Sequence, residues 1–336
     1  MTGDAASGRH ADGLDRVRPT KLRLEVASAC QLRCPSCPTA TGAARAAVGW
    51  GLLRFADFRR LLAANPHVRS IELSNYGEPF LNPELPAMLE EAHGRGVAMR
   101  CDNGTNLDRA TLAALEAAVR FGLRSLTVSI DGVTQEAYGR YRVGGDLERV
   151  LGNVAALQRL KQARGVGEPA LTWQFVVFRW NAHELQAARA RAAELGMKFR
   201  PKPSWDEHAD PAVSRALFGA ASRDEYRERH GVDFGERFCL QLWREPQVNW
   251  DGRVLGCCRN FWGDFGGGAF EDLDAALHSE RLVHARRMLT GQAEARADVP
   301  CSSCEVYTAR VAGRRFVTAD EIAARGLPTQ AGSWPP

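Results

Sequence analysis

Short apolar runs alternate with amphipathic stretches along the first two-thirds of the chain. Residues 22–26, 70–73, 97–101, 125–129, 172–177 and 198–200 are β-rich or buried-looking runs of strand length. Between them the apolar positions take a helical period. Leu85, Met88, Leu89 and Ala92 fall at i, i+3, i+4 and i+7, and Gly94 and Gly96 end that helix. Leu147, Val150, Leu151, Val154 and Leu157 form a second stripe of this kind. Six strands with intervening helices predict a parallel, βα-repeating sheet. Such sheets carry their chemistry at the carboxyl ends of the strands. Beyond Arg200 the alternation breaks: Pro201, Pro203 and Pro211 interrupt it, and Trp205-Asp206-Glu207-His208 reads as a polar, aromatic loop. A segment from Glu236 to Arg310 follows, with five cysteines, many glycines and a hairpin signal at Asp251-Gly252. The expected division is a flexible tail over 1–19, a βα core over 20–205, a linker or substrate loop over 206–235, a cysteine-rich unit over 236–315 and a second tail over 316–336. Within the last, 326–336 is rich in Pro, Gly and Ser and reads as disordered.

Composition narrows the class without naming a reaction. A chain of 336 residues buries a full core and suits one large domain with a smaller appendage. Its 25% charged and 45% hydrophobic residues are ordinary for a globular protein. The net charge of +4 is small and scattered, so nothing argues for nucleic-acid binding. No apolar stretch approaches the roughly 18–20 residues that span a bilayer. The opening segment carries Asp4, Arg9, Asp12, Asp15 and Arg16 and has no apolar run of a signal peptide. Nine cysteines are too sparse for a disulfide scaffold. The expectation is a cytoplasmic protein in a reducing compartment, whose thiols stay available for metal.

Cys30, Cys34 and Cys37 stand in Cys-x-x-x-Cys-x-x-Cys spacing just after the first strand. Zinc sites favour paired Cys-x-x-Cys units and four protein ligands, and no histidine lies near this loop. A cubane 4Fe–4S cluster has four irons, so three thiolates leave one iron open to a chelating small molecule. That makes the cluster a reaction site rather than an electron wire. The spacing resembles the cluster loop of the radical S-adenosylmethionine (radical SAM) superfamily, in which the amino and carboxyl groups of SAM occupy the open iron.

The resemblance extends to later strand ends and implies a partial (β/α)6 barrel. Ser74-Asn75-Tyr76-Gly77-Glu78-Pro79 looks like the family's Gly-Gly-Glu motif, with Tyr76 in place of the first glycine. It implies that Gly77 and Glu78 receive the SAM ammonium through the backbone edge and a charge-assisted hydrogen bond. Asp102-Asn103-Gly104 is close to the family's Thr-Asn-Gly and adds Asn103. Ser129-Ile130-Asp131 matches its Ser-x-Asp, which implies that Ser129 and Asp131 bind ribose hydroxyls or the methionyl carboxylate. Arg142 matches an arginine that faces the SAM carboxylate. Each of these dipeptides alone is also ordinary turn chemistry. Their order behind a three-thiol loop gives them weight. The family's aromatic before the third cysteine is Ser36 here, so adenine packing is expected from backbone or aliphatic groups after the fifth or sixth strand.

Cys239, Gly252, Cys257 and the pair Cys301 and Cys304 resemble the SPASM/Twitch extension of some radical SAM enzymes. With no cysteine after Cys304, the resemblance implies one auxiliary 4Fe–4S cluster, a Twitch arrangement, held by Cys239, Cys257, Cys301 and Cys304. A four-cysteine zinc knuckle is the competing assignment, but only one Cys-x-x-Cys unit is present. Cys257 is preferred to Cys258 for its spacing from Gly252. Cys258 and Cys101 remain outside the clusters, either as hydrogen donors to a substrate radical or as plain buried thiols.

The resemblance implies an enzyme with SAM and two clusters as cofactors and a reductant such as flavodoxin or ferredoxin as partner. A 5′-deoxyadenosyl radical would take hydrogen from a substrate carbon, with oxidation or epimerisation of an alcohol carbon in a cyclitol or aminosugar as the expected outcome. Trp205, Asp206, Glu207, His208, Trp243, Trp250, Trp262 and Asp264 suit a polyhydroxylated or cationic substrate, though such residues also populate plain surface loops. A peptide-modifying maturase and a non-catalytic iron–sulfur carrier are the alternatives. No membrane or nucleic-acid partner is expected.

Overall fold

The computed structural model describes residues 15–324. Six strands form its central sheet: β1 (Lys21–Leu24), β2 (Ser70–Glu72), β3 (Ala98–Thr105), β4 (Ser125–Ser129), β5 (Ala170–Val177) and β6 (Lys198–Pro203). They lie side by side in chain order, and every neighbouring pair is parallel. The crossovers are helical: α1 (Phe55–Ala64), α2 (Leu85–Gly94), α3 (Leu112–Arg120), α4 (Gln135–Tyr141) with α5 (Leu147–Arg164), and α6 (Leu185–Glu194). The expected partial (β/α)6 barrel is therefore the observed architecture.

Side-chain alternation divides the sheet into two chemically opposite faces. Leu22, Leu24, Ile71, Met99, Cys101, Leu126, Val128, Trp173 and Phe175 are buried in one hydrophobic core. Phe58, Leu61, Met88, Leu89, Leu115, Val150, Val154 and Leu157 from the helices complete it. Four of the five residues in the second helical stripe are buried, Leu151 being half-buried. The intervening strand positions form a polar chain across the other face. Arg23 Nε donates to Gln247 Oε1 at 3.1 Å, and Asp102 N donates to Glu72 Oε1 at 2.9 Å. Further along, an Arg200 Nη2 donates to Gln174 Oε1 at 3.0 Å, and Gln174 Nε2 donates to Ser129 Oγ at 3.2 Å. Closed barrels of this type fill their lumen with branched apolar side chains.

Several elements differ from the sequence-based reading. β3 continues to Thr105, so Asp102-Asn103-Gly104 lies within the strand rather than after it. The extension is irregular, with a register shift between Cys101 and Thr105 and Gly104 at φ +118°. A Cβ at Gly104 would strike Ser129 Oγ, which explains why glycine fits there. The stretch 206–235 is not a bare loop but contains α7 (Pro211–Phe218) and α8 (Arg223–His230). Asp210 caps the first, accepting from Ala212 N and Val213 N, and Ser222 caps the second. Pro211 sits at the first helical turn, where its missing N–H costs nothing; it opens a helix instead of breaking one.

The cysteine-rich segment continues the sheet. β7 (Gln247–Val248) pairs parallel to β1, and β8 (Val254–Gly256) pairs antiparallel to β7. The turn between them is the expected Asp251-Gly252, with Gly252 at φ +84°. Around this hairpin lie α9 (Gln241–Arg244), α10 (Leu273–Leu277), α11 (Glu280–Leu289) and α12 (Glu305–Ala312). The expected C-terminal tail is structured where it is described. Val317 is buried and its N–H donates to Leu289 O at 2.8 Å, and α13 (Ala319–Ala323) follows with a Thr318/Glu321 capping box. Residues 1–14 of the expected flexible tail 1–19, and the expected disordered segment 326–336, lie outside the described residues. Among the described residues no helix is long and apolar enough to cross a membrane.

Candidate functional site

The three-thiol loop leaves the carboxyl end of β1 and is tied down from several sides. Cys37 N donates to Cys34 O at 3.1 Å within the loop. Arg33 N reaches Val143 O at 2.9 Å, and Gln31 Nε2 reaches Asn106 Oδ1 at 3.0 Å. Ser36 Oγ donates to Asp206 Oδ2 at 2.6 Å, which joins the loop to the segment after β6. Cys34 is buried, whereas Cys30 and Cys37 are half-buried. Burial pushes the Cys30 thiol up to about 12, with further pressure from Glu78, Cys34 and Cys37. Cys34 is pushed up by burial and pulled back by Arg142.

Arg142 links the loop to the end of β4. Its Nε donates to Asp131 Oδ2 at 2.6 Å, and its Nη1 lies 3.9 Å from Cys34 Sγ. Asp131 is fully buried and also accepts from Val176 N at 2.7 Å. Its carboxylate is thus committed to Arg142 and to the β5 backbone. Ser129 is buried and accepts from Gln174. Asn103 Nδ2 donates to Asn75 Oδ1 at 2.9 Å, joining the ends of β2 and β3.

The turn after β2 is fixed by two buried glutamates. Glu25 accepts from Tyr76 N at 3.1 Å and from Gly77 N at 3.3 Å. Gly77 admits no side chain, since a Cβ would run into the carbonyl oxygens of Ala27 and Ala29. Glu78 was expected to meet an ammonium, but both of its oxygens are taken by backbone amides: Phe80 N at 3.3 Å and Asn106 N at 2.5 Å. It caps the turn Pro79–Leu81 and clasps the β2 and β3 loops together. Burial raises Glu25 to about 8 and Glu78 to about 7. Glu25 was missed by sequence reasoning, although Arg23-Leu24-Glu25 already alternates charged and apolar positions on a strand.

Four cysteines gather at a second place. Cys239 lies in the turn Glu236–Leu240, Cys257 directly follows β8, and Cys301 and Cys304 bracket the turn Pro300–Ser303 ahead of α12. Burial raises Cys301, and Cys257, Cys239 and Cys304 raise it further. Cys239 is pushed up to about 12 by burial and lowered by the buried Arg310, a neighbour that the sequence did not flag. Among the described residues no three His, Cys, Asp or Glu side chains close on a single metal ion.

Cys258, next to Cys257 in the chain, is held through its backbone. Its N–H donates to Gln241 Oε1 at 2.8 Å, and its carbonyl accepts from Tyr76 Oη at 2.9 Å and from Asn75 Nδ2 at 3.2 Å. Its thiol is felt by Arg23, Tyr76, Lys202 and Arg237, residues of the barrel and its mouth. Cys101 is 1% exposed among apolar side chains on the opposite face of the sheet, which is the bland fate of a buried thiol. The residues after β5 are aromatic rather than aliphatic. Phe178 stacks on Trp180 at 4.8 Å and packs against Tyr141 at 4.4 Å.

No family model matches the chain. A GTP 3′,8-cyclase of Hydrogenovibrio crunogenus is 27% identical over 185 residues, covering 53% of this chain and 53% of that protein. A GTP 3′,8-cyclase of Xanthomonas axonopodis pv. citri is 32% identical over 190 residues, covering 50% of this chain and 54% of that protein. The chain thus spans about half the length of the curated relatives it matches. In fold it is similar to Streptococcus suis SuiB bound to S-adenosylmethionine, with a TM-score of 0.62 at 12% identity over 89% of this chain and 74% of that one.

Proposed function

We propose that this chain, whose fold is that of the radical SAM enzymes, carries a SAM-binding 4Fe–4S cluster on Cys30, Cys34 and Cys37 and a second cluster on Cys239, Cys257, Cys301 and Cys304. The observation that carries the reading is the sorting of seven cysteines into a set of three at the strand ends and a separate set of four. When bound, the first cluster supplies the electron that cleaves SAM to a 5′-deoxyadenosyl radical able to take hydrogen from a substrate C–H. Arg142 holds the loop through Cys34 and offers its remaining N–H groups to the SAM carboxylate. Glu25, Gly77 and Glu78 shape the backbone edge that receives the ammonium, with Glu78 in a positioning role. Ser129 and Asn103 line the lumen where the ribose would lie.

The substrate radical is completed in one of two ways. In oxidation of an alcohol carbon, a second cluster held by Cys239, Cys257, Cys301 and Cys304 would supply the acceptor for the radical's electron, the proton passing to a base. In epimerisation, Cys258 gives its S–H hydrogen to the radical, and the thiyl takes back an electron and a proton. Cys258, next in the chain to Cys257 and with its backbone held by Gln241 and Tyr76, suits the hydrogen-donor role. A nucleotide substrate is a second reading, favoured by the cyclases among the relatives. The reconstituted, reduced protein is expected to convert SAM to 5′-deoxyadenosine and methionine, measured by chromatography of the quenched mixture. The variant with Cys30, Cys34 and Cys37 all changed to alanine is expected to form none. Equal turnover by the two proteins would rule the reading out.

A further inference from the structure

The chain leaving β3 passes through a strained residue. Leu107 takes φ +65°, the left-handed region in which a residue with a Cβ is disfavoured. It is nevertheless fully buried, and its carbonyl accepts from Asn153 Nδ2 at 2.7 Å and from Ala110 N at 3.1 Å. Such strain persists only where the surroundings over-determine the backbone, and it gathers at functional sites. The residue held in place just ahead of it is Asn106.

Asn106 is 3% exposed and touches three walls of the candidate site. Its backbone N donates to Glu78 Oε2 at 2.5 Å, on the turn after β2. Its side-chain Oδ1 accepts from Asp108 N at 3.1 Å and from Nε2 of Gln31, the neighbour of Cys30, at 3.0 Å. Its Nδ2 donates to Tyr138 Oη at 2.6 Å. Tyr138 is buried on α4 and lies against the Arg142 turn: Arg142 N donates to Tyr138 O at 2.9 Å, and a Cβ on Gly145 would come within 2.8 Å of Tyr138 Oη. One carboxamide thus uses both of its acceptor sites and one donor. Leucine would fill a similar space and satisfy none of these partners. Aspartate would set a second buried carboxylate beside Glu78.

We infer that Asn106 is a positioning residue for SAM, holding in register the three-thiol loop, the Gly77-Glu78 edge and the Arg142 turn between which SAM would bind. Backbone bonds also join these walls in pairs, Arg33 N to Val143 O and Glu78 N to Ala29 O, each at 2.9 Å. Asn106 meets all three, so removing its side chain should loosen their alignment without dissolving the walls. The inference rests on the reading of Cys30, Cys34 and Cys37 as a SAM-binding loop.

The test is SAM binding to the reconstituted protein by equilibrium dialysis, with EPR of the reduced, SAM-loaded protein, in Asn106→Leu, Gln31→Leu and the double variant. The SAM Kd should rise roughly tenfold or more in Asn106→Leu and several-fold in Gln31→Leu, as hydrogen-bond partners are stranded. Both changes remove the same Gln31–Asn106 contact, so the double variant should bind no more weakly than Asn106→Leu. The EPR signal in the presence of SAM should differ from that of the wild type in both single variants. Gln31 is only half-buried, so Gln31→Leu judges the inference even where Asn106→Leu fails to fold. A purely structural part would lower the urea midpoint and leave SAM Kd and the EPR signal as in the wild type. That outcome, or losses of affinity that simply add in the double variant, would overturn the inference. A wild type that takes up iron yet binds no SAM would overturn the reading beneath it as well.

Discussion

Cys257→Ala is expected to lower the iron of the reconstituted protein from about eight to about four per chain, whereas Cys258→Ala keeps about eight. The two residues are adjacent and equally plausible as ligands from sequence alone. They differ in where their thiols look. Cys257 follows β8, and beyond burial it is raised first by its neighbour Cys258 and then by Cys239 and Cys304 of the proposed ligand set. Cys258 is in addition sensed by Arg23 and, together with Cys257, by Tyr76, across the barrel. An open corner left by Cys257→Ala exposes the second cluster to loss, and Cys258 can step in only by turning away from the lumen. Iron and sulfide assays on both variants decide the point. Equal iron in the two proteins would mean that the ligand assignment is wrong by one residue.

Arg142→Met is expected to destabilise the fold by about 3–5 kcal/mol, the cost of leaving a buried carboxylate without its cation. Asp131 is fully buried, and Arg142 is its ion-pair partner at 2.6 Å. In the single variant Asp131 keeps only Val176 N, at 2.7 Å. Adding Asp131→Asn removes the stranded charge, and the side-chain oxygen of Asn can still accept from Val176 N. The double variant is therefore expected to recover most of the lost stability in a double-mutant cycle read by urea midpoints. SAM affinity should fall in the single variant and stay low in the double, because the guanidinium near Cys34 is absent from both. Recovery of SAM affinity together with stability would assign Arg142 a purely structural part.

The fold was legible where local pattern and tertiary burial agree. Leu22 and Leu24 against Arg23 announce a strand with one apolar face, and Leu85, Met88, Leu89 and Ala92 announce a helix that is in fact buried along that stripe. The pattern failed at Pro211, whose effect depends on helix position: it starts α7, where a proline in mid-helix would have stopped it. The hairpin was legible from Asp251-Gly252, but its place beside β1 was not, since strand order is a long-range property.

The site was readable to the same degree. Cys30, Cys34 and Cys37 share one loop, so their spacing alone brings them together. Cys239 and Cys304 meet only through the fold, and resemblance supplied what spacing does not. At Glu78 a motif suggests an ammonium partner, and the same Glu78-Pro79 also starts a capped turn, whose backbone amides on the carboxylate the motif does not announce. Lys198, Arg200 and Lys202 repeat at every second position, a visible signal of a cationic strand face.

The central claim is that SAM binds the open iron of a cluster held by three thiols. EPR of the reduced, reconstituted protein with and without SAM, on the wild type and on the variant with Cys30, Cys34 and Cys37 changed to alanine, tests it most directly. The account predicts a spectrum that SAM alters in the wild type, and in the variant about four irons whose signal is indifferent to SAM. A wild-type spectrum unmoved by SAM, or a variant that retains all about eight irons, would contradict it.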